Sequence, residues 1–178
     1  SGAHLVHPYD EYKIIAGQGT AALELFSQLD YPVDVVMAPI GGGGLLAGTA
    51  LVAKSDEINY SPNVIGAEPE GANDAWQGFK SGERISQFSP KTIADGLRAT
   101  VGLKNFKIIC EDVDDILLTS EERIVEAMQL IWSRLKVVVE PSAAVSLACI
   151  MEEPEKFYGQ HVAIILTGGN LDLDQLPW

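Results

Sequence analysis

The chain has 178 residues, 47% of them apolar, so it can bury one sizeable core and is expected to form a single domain. A formal net charge of −13 argues against DNA, RNA or an anionic membrane as partner, because each of these needs basic surface. The two cysteines, Cys110 and Cys149, lack a Cys-x-x-Cys or histidine pairing, so neither a zinc site nor a disulfide framework is implied and both are expected to be buried fillers in a reducing compartment.

No leader pattern opens the sequence and no apolar run is long enough to span a bilayer, so the cytoplasm is the expected location. Ser1-Gly2-Ala3-His4 has no starting methionine, and the chain is expected to be processed, tagged or a piece of something longer.

Apolar runs then alternate with helical patterns. A helix is expected over 17–29, followed by a strand over 34–39 that runs straight into Gly41-Gly42-Gly43-Gly44 and a helix over 45–54. Strand, four residues without Cβ, then helix brings several backbone N–H groups to one point where the helix dipole also favours an anion. This is a phosphate cup. No Gly-Lys-Ser/Thr follows, which excludes a nucleoside-triphosphate P-loop, and the dinucleotide spacing Gly-x-Gly-x-x-Gly fits only loosely. The plainer alternative is a tight strand-to-helix turn, although a turn rarely needs four glycines.

Further along, a strand over 63–67 leads to a helix over 73–80, and 81–92 is the longest irregular connection. A strand over 113–118 precedes a helix over 120–135, in which Thr119-Ser120-Glu121-Glu122 offers a capping box and Ile124, Ala127, Met128, Ile131 and Leu135 form one buried stripe. Met128 and Trp132 are read as core or flank. A helix over 141–152 and a strand over 161–167 complete an α/β, doubly wound pattern with a mainly parallel sheet flanked by helices. Ligands in such sheets sit beyond the carboxyl ends of the strands, which here carry Gly41–Gly44, Glu68-Pro69 and Thr167-Gly168-Gly169-Asn170.

Taken together, several segments resemble the serine racemase and threonine (serine) dehydratase family, pyridoxal-phosphate enzymes of the tryptophan-synthase β-like fold. They are His7-Pro8-Tyr9-Asp10, Ile15-Ala16-Gly17-Gln18-Gly19-Thr20, Ala38-Pro39-Ile40-Gly41-Gly42-Gly43-Gly44-Leu45-Leu46-Ala47-Gly48, Ala67-Glu68-Pro69, Ile93-Ala94-Asp95-Gly96, Val139-Glu140-Pro141-Ser142-Ala143 and Leu166-Thr167-Gly168-Gly169-Asn170. They run in family order over nearly the whole chain.

The resemblance implies that Gly41, Gly42, Gly43, Gly44 and the N–H of Leu45 hold the cofactor phosphate, and that Thr167 hydrogen-bonds the pyridine nitrogen. It places Glu140 near the cofactor ring, Gly96 in a cofactor-side turn and Tyr9 facing the cofactor. Without the family, Thr167 reads as a strand-end turn and Glu140-Pro141 as plain helix capping. Glu68, Ala72 and Asp74 match a divalent-cation site of two carboxylates and a backbone carbonyl, suited to Mg²⁺ or Ca²⁺. By themselves the two acids read as a solvated loop and a helix N-cap. Lys136 and Asn170 match nucleotide-contacting positions.

The departures from the family matter as much. The family's Schiff-base lysine in Ser-x-Lys-x-Arg-Gly and its substrate-gripping Ser-x-Gly-Asn loop are absent, and none of Lys13, Lys54, Lys80, Lys91, Lys104, Lys107, Lys136 and Lys156 has that setting. Both motifs lie upstream of the His-Pro-Tyr-Asp segment in the family. The chain is therefore expected to be the C-terminal part of the cofactor-binding large domain, without the small domain, inactive alone, and either bound to its N-terminal half or self-associated. No C-terminal regulatory domain is expected, which favours the shorter racemase-like or catabolic dehydratase type, a homodimer acting on a small hydroxy amino acid. The alternative is a noncatalytic phosphate- and cation-binding interaction module.

Overall fold

The computed structural model describes residues 2–3 and 5–178; Ser1 and His4, part of the opening tetrapeptide, lie outside the described residues. Among the described residues, α-helices and strands follow in the order α1 (Tyr12–Gln28), β1 (Val35–Pro39), α2 (Gly44–Ala53), β2 (Asn63–Pro69), α3 (Asp74–Ser81), α4 (Leu103–Asp112), β3 (Asp115–Thr119), α5 (Glu121–Leu135), α6 (Pro141–Glu152) and β4 (Val162–Ile164). The strands form one sheet in the order β3-β2-β1-β4, and every pairing is parallel. The α/β class with a parallel sheet is as the alternation of patterns implied.

Period-two side-chain direction divides the core. Val35 and Met37 of β1 point to one face with α5 and α6, where Ile124, Met128, Ala144 and Ala148 pack. Val36 and Ala38 point to the other, against Ala22 of α1, Leu46 and Ala50 of α2 and Ile109 of α4. All five β1 residues are buried, and each large aliphatic side chain removed from water there contributes about 1.5–3 kcal/mol. β4 differs: its three residues are half-buried, and among the described residues it pairs only with β1.

The order of the strands positions the site. From β1 the chain moves stepwise to β2 and β3, then returns across the sheet to lay β4 on the opposite side of β1. Such a reversal opens a crevice beyond the carboxyl ends of the two diverging strands. At the end of β1 lies the glycine run; beyond the end of β4 lies Thr167.

Several local expectations need correction. α4 has no counterpart among the elements expected from the sequence, and α1 starts at Tyr12 rather than 17. β4 covers only Val162–Ile164 instead of 161–167, because its ladder ends where the Ile165 N–H donates to Met37 O; Ile165 and Leu166 still pack against the core, and Thr167 reaches the cavity. The N-cap of α5 is Ser120, whose hydroxyl accepts the Arg123 N–H at 3.3 Å; residue 123 is arginine, so no reciprocal carboxylate completes a capping box. Cys149 is buried, but Cys110 is exposed on the outer face of α4.

Candidate active site

Gly43 is the hinge between strand and helix. At φ +88° it adopts a left-handed conformation that reverses the chain after β1 and lets α2 begin at Gly44. No side chain caps this helix start. At four other helix starts carboxylates or a hydroxyl do: Glu11 accepts from Tyr12 N–H, Glu68 from the first turn of α3, Asp10 from the first turn of α4 and Ser120 from α5. Among the described α-helices, α6 alone shares the lack. The exposed partial positive end of α2 thus lacks a protein acceptor and faces a cavity.

That cavity, about 320 Å³, is within the size range of small-molecule sites. Its floor is Gly41, Gly42, Gly43, Gly44 and Leu45, one wall is Pro8, Tyr9 and Gln18, and the opposite wall is Gly96, Leu97, Glu140, Ser142 and Thr167. All nine residues expected at the cofactor from the sequence therefore line one cavity. Pro8, Gln18, Pro39, Leu97 and Ser142 join them unannounced, and no lysine does. Gln18 sits on a helix face that apolar periodicity alone does not distinguish, whereas Ser142 was legible as the residue after a helix-starting proline.

Contacts within the walls fix their shape. The Tyr9 ring lies against Gly42, in the space a side-chain carbon there would occupy. Glu140 N–H donates to Gly168 O at 3.0 Å, and its Oε2 accepts from Asn170 N–H at 2.9 Å, which anchors the 167–170 turn. Ser142 Oγ accepts from Gly96 N–H at 3.1 Å, tying a short 3-10 turn, Asp95–Leu97, to the start of α6. Asn170 thus meets the site through its backbone, and Lys136, at the αL end of α5 with φ 58°, does not line this cavity.

Glu68 and Asp74 lie away from the cavity and are buried, which corrects the solvated-loop reading. Glu68 Oε1 accepts from Ala75 N–H at 3.1 Å and Oε2 from Trp76 N–H at 2.7 Å, so Glu68, not Asp74, caps α3 from the end of β2. Asp74 Oδ2 accepts from Val101 N–H at 3.0 Å. Burial raises the Glu68 carboxyl well above its ordinary value, and the Asp74 charge adds to the rise while the two N–H donors oppose it. Burial likewise raises Asp74, opposed by the Val101 N–H and by Arg84. Among the described residues no group of three or more His, Cys, Asp or Glu side chains could hold a metal ion.

The sequence pattern shared by proteins described as pyridoxal-phosphate dependent enzymes matches residues 1–168. The chain belongs to this family. Among its relatives, a beta-hydroxyaspartate dehydratase of Paracoccus denitrificans (strain Pd 1222) is 47% identical over 178 residues, covering 100% of this chain and 56% of its own length. A serine racemase of Dictyostelium discoideum is 45% identical over 176 residues, 97% of this chain and 53% of the relative. The chain thus spans about half the length of the relatives it matches. The crystal structure of the Dictyostelium discoideum serine racemase superposes with a TM-score of 0.87 at 46% identity, covering 96% of this chain and 55% of that one. The crystal structure of a T.th. threonine deaminase gives 0.90 at 43% identity, covering 96% of this chain and 63% of that one. Fold and family agree with the resemblance carried by the motifs.

Proposed function

We propose that the crevice between β1 and β4 binds pyridoxal 5'-phosphate, and that the whole protein acts on a small hydroxy amino acid. L-serine, L-threonine or a 3-hydroxyaspartate would be converted to a 2-oxo acid and ammonia, or inverted at Cα. One observation carries this reading: the uncapped start of α2 behind Gly41–Gly44 opens into the one cavity that the expected cofactor residues share.

The cofactor supplies, when bound, an electron-accepting ring that acidifies the Cα–H of an amino acid. The chain's own groups do the rest of the holding. Backbone N–H groups of Gly41 to Leu45, reinforced by the α2 dipole, would bind the phosphate as an anion without a lysine or arginine. Thr167 would offer the pyridine nitrogen a neutral hydroxyl, which hydrogen-bonds it without the negative charge that would hold a proton there. Glu140 would lie beside the ring with its carboxylate already turned by Asn170 N–H, and Tyr9 and Gly96 would close the two sides.

The residues at the second site fit a hard cation in part: two buried carboxylates, of which Asp74 adds to the raised proton affinity of Glu68, together with the buried Ala72, whose carbonyl would be the third donor. In this reading Glu68, Asp74 and the Ala72 carbonyl would hold Mg²⁺ or Ca²⁺, which would neutralise the two carboxylates and serve structure. Lys136 and Asn170 form a separate nucleotide contact in the same reading. No helix among the described residues is long and apolar enough to cross a membrane. The two cysteines are free thiols, which supports a reducing, cytoplasmic setting.

The lysine that anchors the cofactor and moves the Cα proton would come from the remainder of the whole protein, whose relatives are about twice as long. The open edge and half-buried face of β4 are proposed to be covered by that upstream half, or by a second copy in a homodimer. The test is turnover by the full-length protein, followed as 2-oxo acid and ammonia and by chiral analysis of recovered serine. A full-length protein that binds pyridoxal phosphate but turns over none of the three substrates would be the noncatalytic module instead.

A further inference from the structure

Asn105 lies directly behind the glycine floor. It is fully buried in the first turn of α4, and its Nδ2 donates to two backbone carbonyls, Gly42 O at 2.7 Å and Tyr9 O at 3.1 Å. Gly42 O accepts a second hydrogen bond from Gly102 N–H at 3.0 Å. The same corner is clamped by Asp10, whose carboxylate accepts from Leu103 N–H at 3.0 Å and Lys104 N–H at 2.8 Å. Two cavity segments, 8–9 and 41–44, are therefore fastened to one helix start.

The choice of asparagine is informative because it leaves an acceptor stranded. Asn105 Oδ1 is buried without a hydrogen-bond partner. Turning the amide over would set that oxygen against two carbonyl oxygens, so the two donors lock the orientation and the stranded oxygen follows. A leucine, branched like asparagine but apolar, would strand no side-chain oxygen, yet it would take the donor away from the Gly42 and Tyr9 carbonyls; a buried unsatisfied polar atom calls for a reason.

Covalent geometry supplies one. No described peptide is cis, and in a planar trans peptide the N–H of one residue points opposite to the carbonyl of the residue before it. Holding Gly42 C=O toward α4 therefore aims the Gly43 N–H away from α4. The would-be Cβ of Gly43 faces Asn105, Ile109 and Val101, none of which lines the cavity, so the α4 side is the back of the loop. We infer that Asn105 is a positioning residue for the phosphate cup: by gripping the Gly42 carbonyl it sets the direction of the loop N–H groups, while the Tyr9 wall stays fastened to α4 through the neighbouring Asp10 carboxylate. This rests on the reading of the glycine run as the phosphate subsite.

The test uses the full-length protein, its Asn105→Leu and Asn105→Asp variants, and two probes that differ only in the phosphate, pyridoxal phosphate and pyridoxal, with inorganic phosphate as competitor. Asn105→Asp keeps the shape but removes both donors; Asn105→Ser, which retains one, serves if either variant fails to fold. The dissociation constant for pyridoxal phosphate should rise by about tenfold or more, equivalent to about 1.4 kcal/mol, while that for pyridoxal stays unchanged and inorganic phosphate competes correspondingly less well. Folded variants that lose affinity for both probes equally, or for neither, would overturn the positioning role and leave the cup intact. An unmutated protein that binds the two probes equally would overturn the cup itself, and the inference with it.

Discussion

Replacing Gly43 by alanine perturbs the turn that aims α2 at the cavity, and the structure sets the size of the effect. At φ +88° an L-residue brings its Cβ against the backbone at a cost of roughly 1–2 kcal/mol. The added carbon would also stand 3.1 Å from Asn105 Cβ and 3.2 Å from both Ile109 Cδ1 and Val101 Cγ1. Ile109 Cδ1 is a chain end and can swing aside, but Asn105 Cβ is fixed to the helix backbone, so overpacking adds about 1–3 kcal/mol. Together these give about 2–5 kcal/mol, a large share of the roughly 5–15 kcal/mol by which a domain is stable. Gly82→Ala isolates the first component, since Gly82 sits at φ +75° with nothing within 4 Å of a new Cβ. Urea unfolding followed by far-UV circular dichroism should show unchanged m-values and a clearly larger loss for Gly43→Ala than for Gly82→Ala. Equal losses, or a loss below about 0.5 kcal/mol at Gly43, where ordinary surface substitutions fall, would refute the account of a tightly backed turn.

The buried pair makes a linked prediction. Because the folded state raises Glu68 above 4.5 and Asp74 above 3.8, it holds protons that the unfolded chain releases, so stability in chelator is fullest below the ordinary carboxylate range and falls as pH rises through the raised values. Mg²⁺ or Ca²⁺ should raise the melting temperature near neutral pH, and Asp74→Ala should abolish that rise; a cation-independent melt of the unmutated chain would leave Glu68 as a helix cap only. Since no lysine lines the cavity, borohydride reduction with pyridoxal phosphate followed by peptide mapping should label no single lysine of the chain stoichiometrically, and one fully labelled lysine would contradict the site. The open β4 edge predicts that the chain by itself self-associates; light scattering from a monodisperse monomer that binds no apolar dye would contradict it.

What the sequence made legible was whatever is written locally. Alternating apolar runs and helical stripes located the sheet, and four consecutive glycines after a buried strand pointed to the strand-to-helix turn at the cavity before any family was in view. α4 was lost because it is only 10 residues long and its N-cap, Gly102, offers no side chain; the carboxylate that accepts from its first turn, Asp10, is more than 90 positions away. The early start of α1 was masked by Gly17 and Gly19, poor helix formers by propensity; Gly19 is retained where α1 touches Gly48 of α2. The roles of Glu68 and Asp74 depend on burial, which spacing alone does not reveal: two acids six residues apart look solvated until β2 and the 101 loop enclose them. Asn105 is of the same kind, an ordinary polar residue whose two carbonyl partners come from segments distant in sequence.

The most direct measurement of the central claim is an amide chemical-shift titration of the ¹⁵N-labelled protein with pyridoxal phosphate. Binding at the crevice predicts that the largest shifts fall on the amides of Gly41 to Leu45 and around Thr167, and that inorganic phosphate reproduces the first set but not the second. Shifts centred elsewhere, such as around Lys91 and Arg98, with the glycine amides unmoved, would contradict it.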